Sequence, residues 1–154
     1  MGTRLMLKTR HVQFSYLDEV KRLGHLMLGE SRFTDTKLDE EQWGSLVNTS
    51  LQSAHFFFQV LTDGVKCKGF IQAAIQPNPF STEIFCAIHS IFVEKEYRGQ
   101  GYAEEFLINV KDWATKNNCY EVIAGDFGFQ PRATGRWYAR QGYTTVGQQY
   151  AIKI

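Results

Sequence analysis

Between residues 90 and 103 the chain reads Ser90-Ile91-Phe92-Val93-Glu94-Lys95-Glu96-Tyr97-Arg98-Gly99-Gln100-Gly101-Tyr102-Ala103. An apolar strand end runs into a short charged loop, then a glycine turn, then an amphipathic run. Ala103, Phe106, Leu107, Val110 and Ala114 recur at helical spacing, so a helix begins at the turn. Ile91 and Val93 share one face of the strand before it. Glycine lets the chain turn sharply and bring its backbone close to a ligand. The first turn of a helix offers unpaired N–H groups and the positive end of the helix dipole. Together they form an anion site suited to phosphate. Arg98 adds a fixed positive charge with forked donors. The alternative is a plain strand-to-helix turn with no ligand. Two other nucleotide motifs are absent: no Gly-Lys-Ser/Thr follows a glycine loop, and no G-x-G-x-x-G stands at a strand end.

The rest of the chain reads as alternating elements. A first strand is expected around residues 5–12. Ser15 with Asp18 marks a helix start, and Tyr16, Val20, Leu23 and Met27 follow helical spacing up to Gly29. Asp39 with Gln42 marks a second start, continued by Trp43, Leu46, Val47 and Leu51. Residues 56–61 are apolar and aromatic, hence a strand. Asp63-Gly64 is a tight hairpin turn, and residues 66–75 return as its partner. Pro77 and Pro79 break the sheet. Residues 83–93 form a long strand, nearly all apolar and expected to be buried on both faces. Residues 120–124 form another strand. Pro131 precedes a short helix ended by Gly142. Residues 143–146 and 149–154 read as a final hairpin. The order is β-α-α-β-β-β-α-β-α-β-β. The fold class is therefore α/β (mixed α+β), with one mixed, mostly antiparallel sheet covered by helices on both faces.

A chain of 154 residues is expected to form one domain, residues 1–154, with a real core. Hydrophobic residues make up 44% and charged residues 21%, as in globular proteins. A net charge of +1 gives no broad footprint for nucleic acid or an anionic membrane surface. No apolar run is long enough to span a bilayer, and the start has too short an apolar core for a signal peptide. Cys67, Cys86 and Cys119 lack C-x-x-C pairing. They suit free, buried thiols in a reducing cytoplasm rather than a disulfide framework or zinc site. No metal is expected. His11, His25 and His55 form no metal spacing with each other or with cysteine.

A second segment, Trp137-Tyr138-Ala139-Arg140-Gln141-Gly142-Tyr143, carries an aromatic-Tyr-x-x-x-Gly-aromatic pattern. With Ile91-Phe92-Val93 leading into Arg98-Gly99-Gln100-Gly101-Tyr102-Ala103, in that order and at that distance, the chain resembles the GNAT acetyltransferase superfamily. The resemblance runs from about Phe14 to the C-terminus. It implies an enzyme that moves acetyl from acetyl-CoA to a primary amine by direct attack in a ternary complex. It also implies that the strands at residues 83–93 and 120–124 splay apart, with the pantetheine arm between them like an extra strand. The backbone of Ile91, Phe92 and Val93 would hold the acetyl and pantetheine amides. The amides of Arg98, Gly99, Gln100, Gly101, Tyr102 and Ala103 would hold the pyrophosphate. Tyr138 resembles the family's general acid, placed to protonate the leaving thiolate; otherwise it is an aromatic packed in the core. Glu30, Ser31 and Phe33, after the first helix, fall where the family carries acceptor contacts. A homodimer is also plausible by resemblance.

The base stays open between residues. Glu83, heading the central strand, takes a proton directly or through water, or is a solvated strand end. His89 has a pKa range suited to base work and shares strand parity with Ile91 and Val93. Asp126 is a third candidate. Arg132, Arg136 and Arg140 recur every four residues and line one helix face, either as a solvated basic face or against phosphate or an acidic acceptor. The acceptor is a small-molecule or peptide amine that no sequence feature identifies. The alternative function is a noncatalytic, regulatory acyl-CoA-binding module.

Overall fold

The computed structural model describes residues 6–125 and 131–154. One sheet holds β1 (Lys8–His11), β2 (Phe56–Thr62), β3 (Cys67–Pro77), β4 (Ile84–Val93) and β5 (Val122–Ala124), each beside the next in chain order. The first three pairings are antiparallel, and β4–β5 is parallel. Helices α1 (Leu17–Gly29) and α2 (Glu40–Gln52) lie between β1 and β2 in the chain, α3 (Tyr102–Lys116) between β4 and β5, and α4 (Pro131–Arg140) after β5. The expected order holds up to α4. Leu5, placed in the first strand from the sequence, lies outside the described residues.

Alternation along the strands builds two cores. Phe58, Val60, Phe70 and Phe92 face α1 and α2, where they meet Val20, Leu23, Trp43 and Val47. Phe57, Leu61, Ile71, Cys86, Ile88 and Val93 face α3, where they meet Phe106, Leu107, Val110 and Ala114. Both faces of the sheet are thus covered. The cap of α2 is as read: the Gln42 N–H donates to Asp39 Oδ1 at 3.0 Å. So is the hairpin turn: Asp63 Oδ1 accepts from the amides of Val65 and Lys66, both at 2.8 Å, beside Gly64 at φ +105°. Gly142, at φ +90°, ends α4, and the Tyr143 N–H closes back on Tyr138 O at 3.0 Å.

Three expectations need correction. Ser15 does not cap α1; a 3-10 turn, Phe14–Tyr16, precedes the helix, and neither element has a side-chain cap. The turn buries Tyr16 in the α1/α2 core, and a buried aromatic outweighs a cap worth about 1 kcal/mol. Strand β4 is not buried on both faces throughout, because His89 is exposed. The final hairpin is absent: residues 143–154 hold no helix or strand. Tyr150, Ile152 and Ile154 do alternate, yet Tyr150 and Ile152 are 87% and 88% exposed. A period of two gives a strand only where a neighbouring strand or helix covers it.

Helix α1 is tied to the sheet by ions as well as apolar contacts. Glu19 Oε1 accepts the Cys67 N–H at 2.9 Å, and Arg22 Nη2 donates to Cys67 O at 2.6 Å. Arg22 also pairs with Glu94, the residue after β4. Burial alone would raise the Glu19 pKa, but the hydrogen bonds from Arg22 and the Cys67 amide, with the charges of Arg22 and Lys66, hold it below its ordinary 4.5. A carboxylate with a depressed folded pKa stabilises the fold fully above its unfolded value. That stability is lost as pH falls through the lower folded value. Glu19→Gln should therefore cost about 1 kcal/mol at neutral pH, and the gap to wild type should close below pH 4.5. Urea melts of both proteins across that range measure it, and a gap that persists in acid would remove the ionic contribution.

Candidate functional site

The site begins with an irregularity in β4. Gln72 pairs with Ser90 and Ala73 with Ile88, so His89 has no partner of its own on β3. A bulge of this kind bends the strand and sharpens its twist. It also resets parity. Ile88 and Ile91, three residues apart, both pack on the α3 side. His89 and Ser90 turn to the α1/α2 side, where the Ser90 hydroxyl donates to Gln72 Oε1 at 2.8 Å and Gln76 Nε2 lies 3.2 Å from His89 Nε2. The parity argument that grouped His89 with Ile91 and Val93 is thereby corrected: an extra residue intervenes. Gln72 and Gln76, which hold the bulge, were not singled out from the sequence. Two polar residues four apart in an apolar strand were the available signal.

The bulge sits where β4 loses its outer neighbour. The last pair with β5 is Ile88↔Ala124, and β4 continues to Val93. The Glu94 N–H donates to Lys68 O at 2.8 Å, toward β3. By alternation Phe92 also serves β3, and Ile91 and Val93 direct their N–H and C=O groups away from it. A Cβ on Gly69 would come within 2.7 Å of Phe92 O, which fits that close pairing. Of the three backbones named from sequence, only Ile91 and Val93 therefore face the open edge. The Val93 carbonyl is already used, accepting from Arg98 Nε at 2.7 Å.

Beyond the edge lies the glycine turn. Gly99 and Gly101 have φ of +76° and +89°, and a Cβ on either would meet nothing within 4 Å. Backbone conformation, not crowding, selects glycine here, and the space beside it is open. Gly101 is the N-cap of α3 and no side chain caps the helix. The Glu105 N–H is bonded back to Gly101 O at 3.1 Å. The amides of Tyr102 and Ala103 precede it in the first turn, where intrahelical acceptors run out. The acidic residues of that turn are drawn aside: Glu104 Oε1 accepts from Trp137 Nε1 at 2.8 Å, and Glu105 Oε1 from the Thr9 hydroxyl at 2.9 Å.

Tyr138 packs on the α3 side, with ring centroids 4.8 Å from Trp137 and 5.3 Å from Tyr143. It borders an open cleft of about 1480 Å³, whose walls include β5, Gly142, Val146 and Arg32 of the α1–α2 loop. Arg32 escaped the sequence reading, although both its neighbours were named. Tyr138 and His89 thus lie on opposite faces of the sheet. His89 is only partly shielded, yet the desolvation by its neighbours disfavours the imidazolium and holds its pKa below the ordinary 6.5, so the neutral ring predominates at pH 7. Glu83 is exposed ahead of β4. It stands six strand positions from His89, about 20 Å, so the two cannot share one proton directly. Asp126 lies outside the described residues, as does the side chain of Arg132; Arg136 and Arg140 are exposed.

On the α1–α2 loop, Ser31 is buried; its hydroxyl donates to Leu28 O and accepts the Phe33 N–H, both at 3.0 Å. Ser31 therefore shapes the loop. Phe33 is at the surface under the Arg32 guanidinium, 5.4 Å from its ring centroid. Glu30 pairs with Arg98. Burial pushes the thiols of Cys67 and Cys86 up to about 11 and about 12, so neither is a nucleophile at neutral pH. Among the described residues no cluster of three His, Cys, Asp or Glu could hold a metal ion. Among them, too, no helix is long and apolar enough to cross a membrane.

Comparison with known proteins follows the same geometry. A comparison with curated proteins finds no match. Solved structures match over nearly the whole chain. AAC(6')-Iy, bound to the bisubstrate analogue CoA-S-monomethyl-acetylneamine, is 16% identical, with 97% of this chain and 98% of that one covered and a TM-score of 0.77. The aminoglycoside 6'-N-acetyltransferase AAC(6')-Ih of Acinetobacter baumannii is 19% identical, with 97% and 98% covered and a TM-score of 0.74. A transcriptional regulator from Bacillus halodurans C-125 is 14% identical, with 97% and 100% covered and a TM-score of 0.78. These likenesses show the fold. The model of the acetyltransferase (GNAT) family matches residues 18–143. The chain belongs to the acetyltransferase (GNAT) family.

Proposed function

We propose that this protein is a single-domain enzyme that transfers acetyl from acetyl-CoA to a primary amine, by direct attack in a ternary complex. One observation carries the reading: the free edge of β4 at Ile91 and the Val93 N–H leads straight into the uncapped first turn of α3 through two open glycines. A chain of amides fits that edge, and a pyrophosphate fits that turn. AAC(6')-Iy, which shares the fold, was solved with CoA and with a CoA-linked analogue.

Acetyl-CoA supplies an activated acetyl thioester; the chain's residues do the rest. The Ile91 backbone and the Val93 N–H hold the amides. The Arg98 to Ala103 backbone meets the pyrophosphate. Tyr138 donates a proton to the departing thiolate from the α3 side. His89, neutral at pH 7, takes the amine's proton from the opposite side, once Gln76 gives up the ring nitrogen it now engages. Acid and base then work from separate faces of one gap, and thiol and amine need not cross. The α1–α2 loop, with Phe33, borders the acceptor, a small-molecule or peptide amine.

The test is release of free thiol from acetyl-CoA with a panel of spermidine, neamine, free amino acids and a lysine peptide. Release that depends on an amine is expected. The same fold occurs in a protein described as a transcriptional regulator, so a noncatalytic acyl-CoA-binding module is the second reading. CoA binding without amine-dependent thiol release across the panel would decide for it.

A further inference from the structure

Arg98 is divided between the two faces of the sheet. Its backbone opens the glycine turn that leads into α3. Its guanidinium lies on the other side, 5.5 Å from the ring centroid of Phe92, which packs with α1 and α2. There it is held at three points. Nε donates to Val93 O at 2.7 Å, and Nη2 reaches both oxygens of Glu30, at 2.9 and 3.0 Å. Glu30 is the C-cap of α1 and the first residue of the loop that carries Ser31, Arg32 and Phe33.

We infer that Arg98 is a positioning residue for the acceptor loop and that its side chain is not the phosphate ligand. Resting on the coenzyme site proposed above, this assigns the phosphate to the backbone alone. Three observations carry it. The guanidinium is on the sheet face opposite α3, whose N-terminus meets the anion. Its Nε and Nη2 donors are already engaged, by a strand carbonyl and a carboxylate. And it works beside a second tie of opposite polarity: α1 offers Arg22 to Glu94 and Glu30 to Arg98. Two ties, one at each end of residues 94–98, fix the loop between β4 and α3 against α1. The start of the acceptor loop is then set by the end of the strand that holds the thioester. Exposed ion pairs generally contribute little, but this one is anchored through a carbonyl and an aromatic ring, which limits the freedom lost in forming it. The pairing also removes Glu30 as a free carboxylate for a cationic amine, so its role is structural to the loop.

The experiment compares wild type with Arg98→Ala, Glu30→Gln and the exchanged pair Glu30→Arg with Arg98→Glu. Hydrogen exchange of the loop amides is read in the ligand-free protein; Phe33 and Thr36 are suitable reporters, since both amides have partners within the loop. CoA affinity is read by calorimetry. Each single variant should speed loop exchange by about fivefold, the exchanged pair should recover part of that protection, and CoA affinity should stay within about twofold. With any amine that supports turnover, Arg98→Ala should raise the amine KM and leave the acetyl-CoA KM unchanged. Tenfold weaker CoA binding in Arg98→Ala would overturn the inference and restore the side chain as a phosphate ligand. Unchanged loop exchange in both single variants would overturn it as well. A wild type that binds no CoA would sink the proposed function instead, with loop exchange still testing the tie.

Discussion

Gly101→Glu is expected to abolish the stabilisation that CoA gives the wild type. A ligand that binds only the folded state, at a hundred times its dissociation constant, stabilises by about 2.7 kcal/mol. For a domain of this size that is a rise in Tm of about 5–10 °C. The variant places a carboxylate at the N-cap of α3, in the open space beside the turn. The negative charge suits the helix dipole when no ligand is present, which offsets part of the strain of a side chain at φ +89°. It repels a pyrophosphate. Gly101→Ala carries the strain without the charge and should keep part of the shift. Thermal melts with and without CoA measure all three proteins. A full shift in the glutamate variant would place the ligand elsewhere.

Tyr138→Phe is expected to lower kcat by about a hundredfold, the low end for general acid help because a thiolate leaves readily. Ring packing against Trp137 and Tyr143 survives the change, so Tm and CoA affinity should hold. A variant that folds and turns over its best amine at the wild-type rate would remove Tyr138 from the mechanism. A higher KM at constant kcat would make it a binding residue.

What the sequence shows and hides follows the range of the forces involved. The glycine turn is legible because positive φ is a property of one residue. So is the Asp39 cap, whose acceptor and donor are three residues apart. Helix α3 is legible because its stripe faces one core. The bulge at His89 is not, since it exists only in the register between β4 and β3. Strand parity read from β4 alone places His89 on the wrong face. The final hairpin fails for a related reason: alternation in residues 149–154 records a capacity to pair, and pairing needs a covering surface. The partnership of Arg98 and Glu30 joins residues 68 positions apart. Each had been given a separate ligand, phosphate for one and amine for the other, and only the fold shows that they meet.

The bulge also says how narrowly an irregular strand is separated from a regular one. His89 and Ser90 point to the same side, so a chain shortened by one residue there would leave every other side chain of β4 on its present face. It would resume unbroken pairing with β3 and lose the bend that accompanies the loss of β5. Such a chain would have a straighter, more regular strand. A single codon therefore divides a β4 that pairs with β3 without interruption from one that turns two successive side chains, His89 and Ser90, to the same face.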